Sequence, residues 1–147
     1  MTDEVLSPES FGGTDEGSHY MSQMRIRSNA EARRKVYVAA PGKLQEQARA
    51  IAKKLEALGF KVTSRWLYMD LQGDQADGAR VDLQDINKAD ILLLINPAEF
   101  MRSGTGGRHV EFGYAAALGK QLVVLGVRSN VFHHLSNVRV IERAEDF

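Results

Sequence analysis

From Lys35 onward, short runs of β-branched and aliphatic residues alternate with segments whose apolar residues recur every three or four positions. That alternation constrains the fold more than any other property of the chain, because each period demands its own partner surface. Residues 36–40 read as a first strand, broken by Pro41-Gly42. Residues 43–58 read as a helix, with Leu44, Ala48, Ile51, Ala52, Leu55 and Leu58 on one stripe and Gly59 as its stop. A second strand is expected over 60–66, a loop over 68–78, a helix over 79–89 and an apolar strand over 90–95. A glycine-rich loop over 96–107, a helix over 108–118 closed by Gly119, and strands over 121–127 and 138–141 complete the pattern. Strands that alternate with helices call for a parallel sheet covered on both faces. The expectation is an α/β fold, a three-layer α/β/α arrangement around a parallel sheet of about five strands, flavodoxin-like or Rossmann-like.

Residues 1–34 are rich in Ser, Gly, Asp and Glu, without a sustained apolar period, and read as a mobile, disordered tail ahead of a single domain over 35–147. The chain has 147 residues, of which 44% are hydrophobic, enough for one core. Lys plus Arg and Asp plus Glu stand at 19 each, so no net positive field points to nucleic acid. A small or nucleotide-sized ligand is expected instead. There is no cysteine, which removes disulfides, thiolate metal sites and thiol nucleophiles and suggests a cytoplasmic protein. The longest apolar runs, 91–95 and 122–127, are too short to span a bilayer, and no signal-peptide core opens the sequence, so no membrane partner is expected.

In parallel sheets, ligands bind beyond the carboxyl ends of the strands. That rule gathers Tyr37, Ala39, Ala40 and Pro41, then Trp66, Asn96, Asp82 and Glu111 on one rim. Ser103-Gly104-Thr105-Gly106-Gly107-Arg108 runs straight into the helix of Glu111, where free amides and the helix dipole suit a phosphate or a sugar. Glu111 sits among apolar and small residues and should be drawn toward the sheet. Asp82 falls on the sheet-facing stripe, three residues after Ala79 and four before Ile86, while Asp85 falls off that stripe and reads as solvated. Two carboxylates on one rim permit a nucleophile and an acid without metal or cofactor. Tyr37 reads either as a core aromatic or as a holder of a rim carboxylate, and Trp66 either as packing or as a platform for a planar base. His109 and Glu111, two apart on a helix, face different ways, and His133-His134 lacks metal-ligand spacing, so no metal site is expected.

The segments Lys35-Val36-Tyr37-Val38-Ala39-Ala40, Thr63-Ser64-Arg65-Trp66-Leu67, Asp82-Leu83-Gln84-Asp85-Ile86 with Ala89-Asp90-Ile91, Gly106-Gly107-Arg108-His109-Val110-Glu111-Phe112-Gly113-Tyr114-Ala115, and Ser129-Asn130-Val131-Phe132 occur in that order. In this ordered set the chain resembles the nucleoside 2-deoxyribosyltransferase-like superfamily, which includes 2'-deoxynucleoside 5'-monophosphate N-glycosidases. The resemblance implies an enzyme of nucleotide metabolism or salvage that cleaves or exchanges an N-glycosidic bond. It implies Glu111 as the nucleophile at C1', Asp82 as the acid that helps the base depart, and Tyr37 as the residue that orients the nucleophile. It also implies that Asn130 reaches the sugar's 5' end from a neighbouring subunit, hence a homodimer or larger homo-oligomer. Six residues before the nucleophile, transferases of the family tend to carry an aspartate and monophosphate hydrolases a serine. This chain carries Thr105, whose neutral hydroxyl leans toward a 5'-phosphate, whereas Asn130 looks more like the transferase pattern. Transferase and hydrolase both stay open. The Gly-Gly-x-Gly-Thr-x-x-Glu motif of cytokinin-releasing phosphoribohydrolases is not matched, since the order here is Gly104-Thr105-Gly106-Gly107. A non-catalytic nucleotide-binding module is the alternative of a different class.

Overall fold

A computed structural model describes residues 33–147, so the tail expected over 1–34 lies, but for its last two positions, outside the described residues. Five strands form one sheet: β1 (Lys35–Ala39), β2 (Lys61–Val62), β3 (Ile91–Asn96), β4 (Gln121–Gly126) and β5 (Val138–Ile141). Every pairing is parallel and the order is β2-β1-β3-β4-β5. Three helices connect them: α1 (Gln45–Ala57), α2 (Gln75–Lys88) and α3 (Gly107–Ala117). The step from β1 to β2 runs one way along the sheet, and the steps from β2 to β3 and from β3 to β4 run the other. Right-handed crossovers then place α1 on one face and α2 with α3 on the opposite face. The expected three-layer α/β architecture is thus the one observed.

Burial follows from this layering. All six residues of β3 are buried because helices cover both faces of the central strand. On α1, Ala48, Ala52 and Leu55 are buried at helical spacing, and on α3 Arg108, Phe112 and Ala115 do the same. Glu111 lies one residue before Phe112 and so emerges at the edge of the buried stripe.

Two boundaries differ from the sequence reading. The second strand, expected over 60–66, stops at Val62 and gives way to a 3-10 turn, Arg65–Tyr68. Thr63 N still donates to Val36 O, but the next amide of β1, that of Val38, donates to Ser64 Oγ at 2.6 Å. A side-chain acceptor thereby ends the ladder and turns the chain over the sheet edge. The helix expected over 79–89 begins earlier, at Gln75, because Asp74 caps it by accepting from Asp77 N at 2.8 Å. The loop expected over 68–78 shrinks accordingly.

Candidate active site

The order in which strands are added reverses between β1 and β3, which opens a crevice at their carboxyl ends, and the candidate residues converge there. Tyr37 is fully buried on β1, facing the side covered by α2 and α3. Its hydroxyl donates to Glu111 Oε2. Burial, together with the neighbouring charges of Glu111 and Asp82, holds the Tyr37 hydroxyl far above its usual titration range, so it stays a proton donor.

Glu111 and Asp82 are both half-buried and both hold their protons more tightly than in water. Burial pushes the Glu111 carboxyl up to about 8, the Tyr37 hydrogen bond works against this, and the charge of Asp82 adds to it. Burial likewise pushes Asp82 up to about 6; the Tyr37 hydroxyl opposes the rise, Asp85 reinforces it and Arg65 counters it. Tyr37 has a single proton to donate, and it goes to Glu111. Asp82 Oδ1 is buried without a partner. The two carboxyls thus titrate as a pair that shares one proton, and the Tyr37 hydrogen bond favours the arrangement in which Glu111 is the anion.

These carboxyls face a cavity of about 150 Å³ whose walls are Ala40-Pro41-Gly42, Trp66, Leu71 and the glycine loop from Gly104 to Arg108. Trp66, Leu71 and Asp82 also border a second space of about 460 Å³, which extends toward Met69, Asp70 and the first turns of α2. The indole of Trp66 is fixed as the partition, since its Nε1 donates to Val38 O at 2.7 Å. Gly106 stands at the start of α3 with φ +84°, and no side chain caps the helix there. An added Cβ at Gly106 or Gly107 would meet nothing within 4 Å, so the first-turn amides border open space. Thr105 is exposed on the same wall.

Four expected ligand contacts are placed differently. Ala39 is fully buried, and its neighbour Ala40 lines the cavity instead. Arg108 borders the cavity, but its guanidinium donates to Phe100 O at 2.8 Å and Ser103 O at 2.9 Å, and the residue is 4% exposed. It shapes the glycine loop from behind. Asn96 is fully buried and donates to Val127 O and Ser129 Oγ, which fixes the loop after β4. Close approach there demands glycine at 126, where a Cβ would lie 2.2 Å from Asn96 O. Asn130 accepts from Phe132 N and meets His109 Nδ1 at 3.4 Å, and it is not among the residues that line either space.

Asp85, read from the sequence as solvated, is 1% exposed. It accepts from the backbone N of Arg65 at 2.9 Å and from its guanidinium at 2.9 Å. The helical stripe misleads here because a buried carboxylate with a charged partner occupies a position that periodicity assigns to water. Leu71 and Gly42 line the cavity without having been singled out from the sequence, since apolar and glycine wall positions carry no chemical signature. Among the described residues, no group of three His, Asp or Glu side chains is arranged to hold a metal ion.

No protein-family model matches the sequence, and no curated protein matches it in sequence. Solved structures do match in fold. A CMP N-glycosidase from Clostridium botulinum aligns with a TM-score of 0.51 at 23% identity, over 76% of this chain and 92% of that one. A 2-deoxyribosyltransferase from Bacillus psychrosaccharolyticus aligns with a TM-score of 0.55 at 21% identity, over 76% of this chain and 88% of that one. The chain shares its fold with these two proteins.

Proposed function

We propose that this protein is an enzyme of the nucleoside 2-deoxyribosyltransferase-like superfamily, which cleaves or exchanges the N-glycosidic bond of a 2'-deoxynucleoside or its 5'-monophosphate. The observation that carries the reading is the Tyr37 hydroxyl donating to Glu111, with Asp82, whose Oδ1 is buried without a partner, on the same cavity wall. The names of the two solved proteins of this fold support the reaction class.

In the first step a Glu111 oxygen bonds to C1', the C1'–N bond breaks, and its electron pair leaves with the base. The departing base takes its proton from Asp82. In the second step water or another base attacks C1', the ester bond to Glu111 breaks, and Asp82 recovers a proton from the attacking group. Tyr37 holds the Glu111 carboxylate in line throughout. A 5'-phosphate fits the glycine loop, where the Thr105 hydroxyl and the free amides of α3 offer donors and position 105 itself carries no repelling carboxylate. Arg108 supports that loop from behind. Asn130 would serve a neighbouring subunit, and the exposed side chains of Val131 and Phe132 beside it suit a homodimer contact.

The test is incubation with each deoxynucleoside and each monophosphate, with and without a free acceptor base. Free base without acceptor indicates a hydrolase, and new nucleoside only with acceptor indicates a transferase. Tight nucleotide binding with no product from any substrate would contradict the enzymatic reading and favour a binding module.

A further inference from the structure

Asp85 lies one helical turn after Asp82 on α2, so the two carboxyls project from neighbouring positions on one face. Its oxygens are spent on Arg65, whose side chain is half-exposed while that of Asp85 is 2% exposed. Arg65 opens the 3-10 turn that carries Trp66 and Leu67, and Gln84 also accepts from its guanidinium at 3.2 Å. The pair thus ties the strap over the sheet edge to the helix that carries Asp82, with Thr63 Oγ1 adding a bond to Asp85 O at 2.9 Å. We propose that the Asp85–Arg65 pair is a positioning and charge-setting device for Asp82, in which buried Asp85 keeps the proton on Asp82 and Arg65 limits that effect.

This proposal rests on the reading of Asp82 as the acid of N-glycosidic cleavage. The ionisable groups that face Asp82 are Tyr37 from β1, Glu111 from α3, Asp85 from its own helix and Arg65 from the strap. Arg108 shares the cavity but spends its donors on loop carbonyls, and Asp77 acts at one remove through Arg65. Of these, Asp85 and Arg65 take no part in the proposed bond making. Their charges oppose each other at Asp82, Asp85 raising its hold on the proton and Arg65 lowering it. Like charge close by disfavours ionisation and opposite charge favours it, so removing each partner must move Asp82 in opposite directions.

The decisive experiment follows the Asp82 carboxyl by carbon-13 NMR through a pH titration, with Asp82→Asn providing the assignment. Asp85→Asn is expected to lower the Asp82 midpoint and Arg65→Gln to raise it, each by about half a unit to one unit, a roughly three- to tenfold change in the ratio of protonated to ionised carboxyl. Where turnover is measurable, the alkaline limb of its pH profile moves the same way in each variant. Trp66 is the only tryptophan, so its emission reports whether the strap stays seated. If Asp85→Asn unseats it, Arg65→Gln decides, because the side chain replaced is half-exposed and the glutamine amide can still donate to Asp85. Unchanged midpoints, or shifts in the same direction, overturn the proposal. Absence of any turnover in the wild-type protein would overturn the glycosidic reading while leaving the titration result to judge the pair.

Discussion

A tyrosine that is wholly buried yet aims its hydroxyl at a carboxylate of the cavity wall concentrates the chemistry in three side chains, Tyr37, Glu111 and Asp82. Across the window between about 6 and about 8 the two carboxyls hold one proton between them. Turnover that needs one ionised and one protonated group should therefore trace a bell, falling below about 6 when both are protonated and above about 8 when both are ionised. A steady-state pH profile reads this directly; a flat profile over that range would contradict it. Tyr37→Phe removes the hydrogen bond that opposes the rise at Glu111, so kcat should fall about 10- to 100-fold and the limb tied to Glu111 should move to higher pH. Stability gives a second reading of the same carboxyl. The folded state keeps a proton on the Glu111–Asp82 pair where the unfolded chain has lost it, so the pair weakens the fold as pH rises from 4.5 toward about 8. Glu111→Gln should then stabilise the protein at pH 9 by about 1–2 kcal/mol, an amount that allows for the partial solvent contact of the residue, with little gain at pH 4. Denaturant titrations at the two pH values check the sign.

At the scale of the elements, the glycine loop works because Arg108 holds its carbonyls from the buried side while the amides of α3 stay free on the open side. Arg108→Met keeps the bulk and loses the two bonds, so a 5'-monophosphate should show KM raised about tenfold, with the unphosphorylated nucleoside much less affected. Equal losses on both substrates would place the phosphate elsewhere. Legibility divides along the same line. The strands and helices could be read from periodicity because the sheet is buried on both faces and its helices on one. Glu111 and Tyr37 were legible as neighbours on the rim, since chain direction alone fixes which strand ends point there. The second strand was misjudged because Ser64 and Asp85 take over its hydrogen bonds, an interaction between distant residues that no local pattern announces. Arg108 was taken for an anion contact for a related reason. Its spacing matches the buried stripe of Phe112 and Ala115, and burial decides where a guanidinium spends its donors.

At the scale of the whole molecule, the sheet order sets the crevice between β1 and β3, and each of the three candidate catalytic side chains comes from a different element around it. The proposed assembly belongs to this scale as well. Val131 and Phe132, 76% and 59% exposed, flank Asn130 at the rim. If they form the contact between copies, the protein runs as a dimer in light scattering, and Val131→Asp with Phe132→Ser gives a monomer with reduced turnover. A wild-type monomer with full activity would contradict the shared site. The central claim, however, is the covalent step at Glu111. Intact-mass and peptide mass spectrometry on protein quenched during turnover, without an acceptor base, should find one glycosyl adduct on the peptide that contains Glu111 and none in Glu111→Gln. Product formed with no adduct, or an adduct on another residue, would contradict it.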